Sequence, residues 1–179
     1  MAASGLGPLG WGLIVVVFVT VLVVFRGALE GGFVYDDFPR IVEAESRITS
    51  IWPPIWMSDG QRPVVRLSLA LNHLAGGLDP LGYHVFNLVL HATAAVLVLL
   101  VVREGGRRLA DRGISAGSNR RRLILGAVVA LIWALHPVQT STATYVIQRA
   151  ESLAGFFSLL AVYGLLRGDR VNRLATGTV

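Results

Sequence analysis

Four apolar runs decide what this chain can become. Residues 6–25 and 83–102 carry no Asp, Glu, Arg or Lys over a length that suits a bilayer-spanning helix. Two more runs follow, at about residues 121–135 and about 144–166. The third is short as a purely apolar segment. Arg121 and Arg122 can extend it by snorkelling at one end, while Trp133 anchors the other. With 54% apolar and only 15% charged residues, too few polar groups exist to coat a water-soluble globule of 179 residues. The expected fold is therefore an all-α integral membrane protein with about four transmembrane helices.

Charge placement orients those helices. All sixteen basic residues are Arg and none is Lys, a composition that fits a GC-rich genome. Seven Arg fall within about 103–122 and three more (Arg167, Arg170, Arg173) follow the last apolar run. Clusters flanking spans are what the positive-inside rule produces, so the net charge of +5 points to a membrane rather than to nucleic acid. With both clusters cytoplasmic, both termini lie inside, in a bacterial plasma membrane. A long loop of about 26–82 and a short one of about 136–143 then lie outside. Arg26 argues the other way, but one Arg should not outweigh seven. No basic region precedes the first run and no clean cleavage site follows it, so it reads as a retained anchor. Cysteine is absent, which excludes disulfides and thiolate metal sites.

The long outer loop is patterned. "GGFVYDDFPR" (31–40) places adjacent carboxylates, Asp36 and Asp37, just beyond the first span. Asp37 precedes Phe38-Pro39 and a run through Ser46, which reads as a helix N-cap with Pro in the first turn. "IWPPIW" (51–56) suits the headgroup level. In "RPVVRLSLALNHLAG" (62–76), Arg62, Arg66 and His73 would share one helical side. That side reads either as an interfacial helix meeting lipid phosphates or as a cationic face for the phosphate of a lipid-linked substrate.

Within the second span, His84, Asn87 and His91 fall on one face. The two His are too far apart along the axis to share a metal. Such a stripe faces protein or a wet cavity, either as interhelical hydrogen-bonding groups or as part of a site. Farther on, His136-Pro137 ends the third helix, and Arg149 and Glu151 lie inside the outer third of the fourth span. A structural ion pair of Arg149 with Glu151 or a loop acid is one reading of those charges; a functional one is the other.

The outer side thus collects carboxylates, cations, His and Asn, as a pocket for a lipid-tailed donor with an anionic head would. Sugar transfer from a polyprenyl phosphate needs a carboxylate to take the acceptor's proton, and cations or a metal to hold the leaving phosphate. No Gly-rich phosphate loop, G-x-S-x-G or H-E-x-x-H appears.

"GGFVYDDFPRI", "RPVVRLSLALN", "DPLGYHVFNLVLH" and "HPVQTSTATYVIQRAESLAGFF" resemble, in order and spacing, the start of the tetratricopeptide-repeat-containing O-mannosyltransferase-like membrane proteins of the GT-C superfamily. The resemblance covers about residues 30–167 and implies a partial GT-C fold with a large helical first outer loop. It implies Asp36 as catalytic base and Asp37 as its support. It also places Arg62, His84, Asn87, His91, His136, Arg149 and Glu151 in the family's motifs, with Glu151 as a second functional carboxylate; with Arg66 from the cationic helix side, these are the candidate substrate- or phosphate-binding residues. Ser141 and Gln61 depart from the pattern, standing where relatives often carry Glu and an aromatic residue. Family members continue through further spans, usually into repeats of about 34 residues.

The function expected is transfer of a mannose-like sugar from a polyprenyl-phosphate donor to a protein or glycan hydroxyl. This chain would supply the amino-terminal part, beside the remaining helices of a full-length enzyme. A divalent metal could bind Asp36 or Asp37 with Glu151, although the spacing does not require one. The alternative is a truncated, non-catalytic scaffold or half of a split enzyme. A small transporter or channel fits less well, because the carboxylates cluster outside the spans.

Overall fold

The computed structural model describes residues 5–43 and 62–176. The 51–56 aromatic–proline stretch and Gln61 lie outside these residues, as does the end of the expected loop helix at Ser46. Every regular element among the described residues is helical: α1 (Gly7–Val24), α2 (Pro63–Gly76), α3 (Pro80–Asp111), α4 (Asn119–Ala134), α5 (Thr140–Thr144) and α6 (Arg149–Thr176). Helices α1, α3 and the Arg149–Gly168 part of α6 are long and apolar enough to cross a bilayer. A fourth span results if α4 and the helical turns of Pro137–Thr144, bent by 59°, count as one broken crossing. The protein is thus an all-α membrane protein of three to four spans.

Local chemistry sets the helix ends. Helix α2 stops at Gly77, whose φ of 61° suits glycine and whose N–H donates to the His73 carbonyl at 2.7 Å. Helix α3 starts with Pro80 in its first position and with the Asp79 carboxylate accepting from the Leu81 N–H at 3.0 Å. At the start of α4, the Ser118 hydroxyl accepts from the Arg121 N–H at 3.3 Å.

Two boundaries differ from expectation. Helix α3 continues past Val102 to Asp111, so the Arg-rich loop shrinks to 112–118. Bonds from Arg107 to Glu104 (2.9 Å) and to Asp111 (3.0 Å), at i,i+3 and i,i+4, support that extension. Helix α6 starts at Arg149 rather than near Thr144, because 145–148 leaves the helical path, with Tyr145 extended at φ −86° and ψ 127°.

The chain forms two compact units. The first comprises Met1–Val23, Ala92–His136 and Gly155–Val179. Its core is aliphatic, with Val17, Val21, Leu99, Leu123 and a series of alanines buried. Gly126 lets α3 and α4 touch backbone to backbone, since a Cβ there would sit 2.7 Å from the Leu99 carbonyl oxygen. Gly126→Ala should therefore lower thermal stability in detergent by about 1–3 kcal/mol, and Gly126→Leu by more. Unchanged melting of both variants would show that the helices do not meet there.

The second unit comprises Val24–His91 and Pro137–Ala154. Its core is Ile41, Leu69, Tyr83 and Val146, with Phe33, Val65 and Leu78 packed against them. The Tyr83 ring meets Phe33 edge-on at 5.3 Å, and its hydroxyl donates to the Gly77 carbonyl at 3.0 Å. Ile41 and Val146 come from weakly structured segments. Burying such side chains fully is worth about 1.5–3 kcal/mol each, which holds 33–42 and 145–148 onto α2 and α3.

Candidate functional site

The second unit is organised around a buried cation. Arg149, 0% exposed at the start of α6, donates from Nε to Asn87 Oδ1 at 2.8 Å and from Nη2 to the Tyr83 carbonyl at 3.1 Å. A longer contact of 3.4 Å joins Nη1 to the Ser68 hydroxyl. The guanidinium lies 4.3 Å from the Phe86 ring centroid and 5.6 Å from that of Tyr83, on α3. A buried cation is tolerated only when its donors are matched, and here neutral oxygens and aromatic faces do so.

Asn87 is the junction. Its amide oxygen accepts from Arg149, and its amide nitrogen donates to the carbonyls of Tyr145 (3.0 Å) and Val146 (3.3 Å). The carboxylate of Asp37 clamps the other side of the same segment. Oδ1 accepts from the Ile147 N–H at 2.8 Å, across 110 residues of sequence, and Oδ2 accepts from the Val34 N–H at 3.1 Å. The break at 145–148 is therefore hydrogen-bonded by side chains from α3 and the first loop.

These contacts revise several expectations. Asp37 is not a side-chain N-cap: it has helical φ and ψ, makes no capping bond, and among the described residues precedes one π-helical turn, Phe38–Val42. Arg149 does not pair with Glu151. Glu151 is exposed and faces Arg62 at 3.9 Å, with both side chains more than half exposed. Arg62 does not share a helical side with Arg66 and His73. It precedes α2 in a left-handed conformation (φ 58°, ψ 58°), while Arg66 and His73 are half-buried on the helix. Asn87 and Arg149, expected to face a substrate, are fully buried with their polar groups engaged internally.

The remaining predicted residues divide by exposure. His84 and His91 are buried on α3 with Asn87, so the polar stripe faces protein. His91 meets Phe25 edge-on at 5.6 Å, whereas neither ring nitrogen of His84 has a hydrogen-bond partner among the described residues. His136 is exposed in the turn after α4. Asp36 is exposed, one residue from the buried Asp37. Among the described residues no three His, Asp or Glu side chains group as metal ligands would.

Sequence reading missed Tyr35 and Tyr145. Tyr35 is 82% exposed with φ 45°, and its ring lies 6.5 Å from that of Tyr145. Tyr35 and Arg62 are the two non-glycine residues with positive φ among those described. Such conformations cost roughly 1–3 kcal/mol and concentrate at functional sites. The contact of Tyr35 with Tyr145 and the bond of Asp37 to Ile147 run the 35–37 segment along 145–147. Asp36 lies between the two points of attachment. Ser68 and the Tyr83 carbonyl were also missed, because neither shows a pattern in sequence.

The fold and its buried polar hub define an all-α membrane protein whose first loop is fastened to a helix break. The chain is 32% identical over 184 residues to human protein O-mannosyl-transferase TMTC4, covering 93% of this chain and 24% of that protein. The mouse TMTC4 protein is also 32% identical, over 188 residues, covering 96% of this chain and 25% of the relative. Protein O-mannosyl-transferase Tmtc1 of Drosophila melanogaster is 32% identical over 166 residues, covering 84% and 18%. Over the stretch they share, the chain is a homologue of the TMTC protein O-mannosyl-transferases. It spans about a quarter or less of the length of these relatives. No protein-family model and no solved structure matches it.

Proposed function

We propose that this chain is the amino-terminal part of a GT-C type membrane glycosyltransferase, moving a mannose-like sugar from a polyprenyl-phosphate donor to a protein or glycan hydroxyl. The observation that supports this most is the division of labour between the adjacent acids. Asp37 is buried and fastened at both oxygens, and Asp36 is left exposed on the segment that Asp37 secures. Asp36 then takes the proton of the acceptor hydroxyl as that oxygen attacks the anomeric carbon. The bond to the donor's phosphate oxygen breaks, and the polyprenyl phosphate leaves as an anion, with inversion.

Arg62 is exposed and close to a carboxylate that a phosphate could displace, so it is assigned to hold the leaving group. Arg149 and Asn87 position the 145–148 segment. The site faces the side of the membrane opposite the Arg clusters, with both termini cytoplasmic. The membrane is taken to be a bacterial plasma membrane, whereas the relatives named above are animal proteins.

The test is transfer from defined polyprenyl-phosphate sugars to peptide and glycan acceptors by the complete protein in membranes, with and without chelator. Product formation supports the enzyme reading. Absence of product with every donor supports the alternative, a non-catalytic scaffold or half of a split enzyme.

A further inference from the structure

The seven Arg at the junction of α3 and α4 are of two kinds. Four are occupied inside the first unit. Arg103 is buried, donating to Asn119 Oδ1 at 3.2 Å and to the Gly5 carbonyl at 3.1 Å, with Glu104 at 3.6 Å. Arg107 holds Glu104 and Asp111, Arg108 donates to the carbonyls of Leu165 (2.6 Å) and Leu166 (2.9 Å), and Arg122 donates to the Gly117 carbonyl at 2.6 Å. Arg103 ties α3 to the start of α4, and Arg108 ties α3 to α6. The two acids of α3 at this end, Glu104 and Asp111, are already engaged.

Arg112, Arg120 and Arg121 are exposed, and among the described residues their guanidinium groups have no hydrogen-bond or ion-pair partner. Their level is set by the apolar boundaries. The uncharged part of α3 ends at Val102 and that of α4 begins at Leu123, so Arg120 and Arg121 stand within one helical turn of the hydrocarbon. Arg112 stands ten residues beyond Val102, about 15 Å at the helical rise, and its long side chain can reach back toward the surface. Between them Ile114 is 54% exposed, an apolar group suited to the interface.

We infer that Arg112, Arg120 and Arg121 form a binding site for the phosphate of an anionic phospholipid in the adjacent leaflet. Charge complementarity carries this: three cations without counter-charge among the described residues face the headgroup region, Arg120 and Arg121 at its level and Arg112 from beyond it, beside four that are already matched. A bilayer supplies at that level a mobile anion with an apolar tail. Each such cation near an anionic surface favours association by roughly five-fold, which makes three worth on the order of a hundred-fold. These residues belong to the first unit and those assigned to sugar transfer to the second, so the proposal does not depend on that reading.

The test is lipid retention. The purified full chain is released from nanodiscs of equimolar phosphatidylglycerol and phosphatidylcholine, and the lipid still bound is identified by native mass spectrometry. The wild type should retain phosphatidylglycerol preferentially, and that preference should fall with added NaCl. R112Q/R120Q/R121Q should lose most of it at unchanged helicity, and R120Q and R121Q singly should each lose roughly five-fold. R108Q, which breaks internal bonds, should lower stability yet keep the lipid preference. The proposal is overturned if the wild type shows no preference, if the triple variant keeps it, or if millimolar inorganic phosphate abolishes it as completely as the substitutions do.

Discussion

Replacing Asn87 by leucine should be among the most damaging single changes in this protein. The substitution keeps the volume roughly constant but removes one acceptor and two donated bonds at once. Arg149 would keep its charge in a fully buried place while losing its 2.8 Å partner, and the Tyr145 and Val146 carbonyls would lose theirs. Leaving a buried charge without its partner costs about 3–5 kcal/mol, with a further 1–3 for orphaned carbonyls. The expected result is a large drop in melting temperature in detergent and protease cleavage near 145–148. Arg149→Met alone removes the cation and should cost less. The double variant should be more stable than the sum of the two predicts, because Arg149 is no longer there to be stranded without Asn87. Simple additivity would mean that the two side chains are not coupled.

The second large effect is expected at Asp37. Its two oxygens each accept a different backbone N–H, from Val34 and from Ile147. Asp37→Ala leaves two part-buried donors without their acceptor, for a loss of about 1–3 kcal/mol. Asp37→Asn retains one acceptor oxygen and should fall between alanine and the wild type. Amide hydrogen exchange reports this directly: the Ile147 and Val34 amides should exchange faster in the alanine variant while amides in the middle of α4 stay protected. Equal protection in all three proteins would show that Asp37 does not fasten these two amides.

The contrast between Asp37 and the spans shows what could be read from sequence. The spans follow from hydrophobic runs, which are local, and α1 and α3 appear where those runs lie. Helix α3 outruns its apolar segment because charged residues at helical spacing extend it, a contribution a hydropathy reading undervalues. The acidic pair was legible as unusual, and the His84–Asn87–His91 stripe as facing protein. The partners were not. Asp37 looked like a local cap because a carboxylate before Phe-Pro commonly is one, whereas its acceptor atoms meet an amide 110 residues away. Arg149 looked like half of an ion pair because an acid stood two residues on. At that spacing on a helix the two side chains diverge, and Arg149 turns inward to amide, carbonyl and aromatic groups while Glu151 turns out.

Those contacts give the central claim its physical form: a buried Asp37 secures the loop so that an exposed Asp36 can act as a base. The most direct measurement is sugar transfer by the complete membrane protein carrying Asp36→Asn, compared with the wild type at equal expression and equal melting temperature. Asn cannot accept the acceptor's proton, so the rate should fall at least a hundred-fold while stability stays within about 0.5 kcal/mol, as for an exposed side chain. Transfer at the wild-type rate would contradict the assignment, as would a loss fully explained by unfolding.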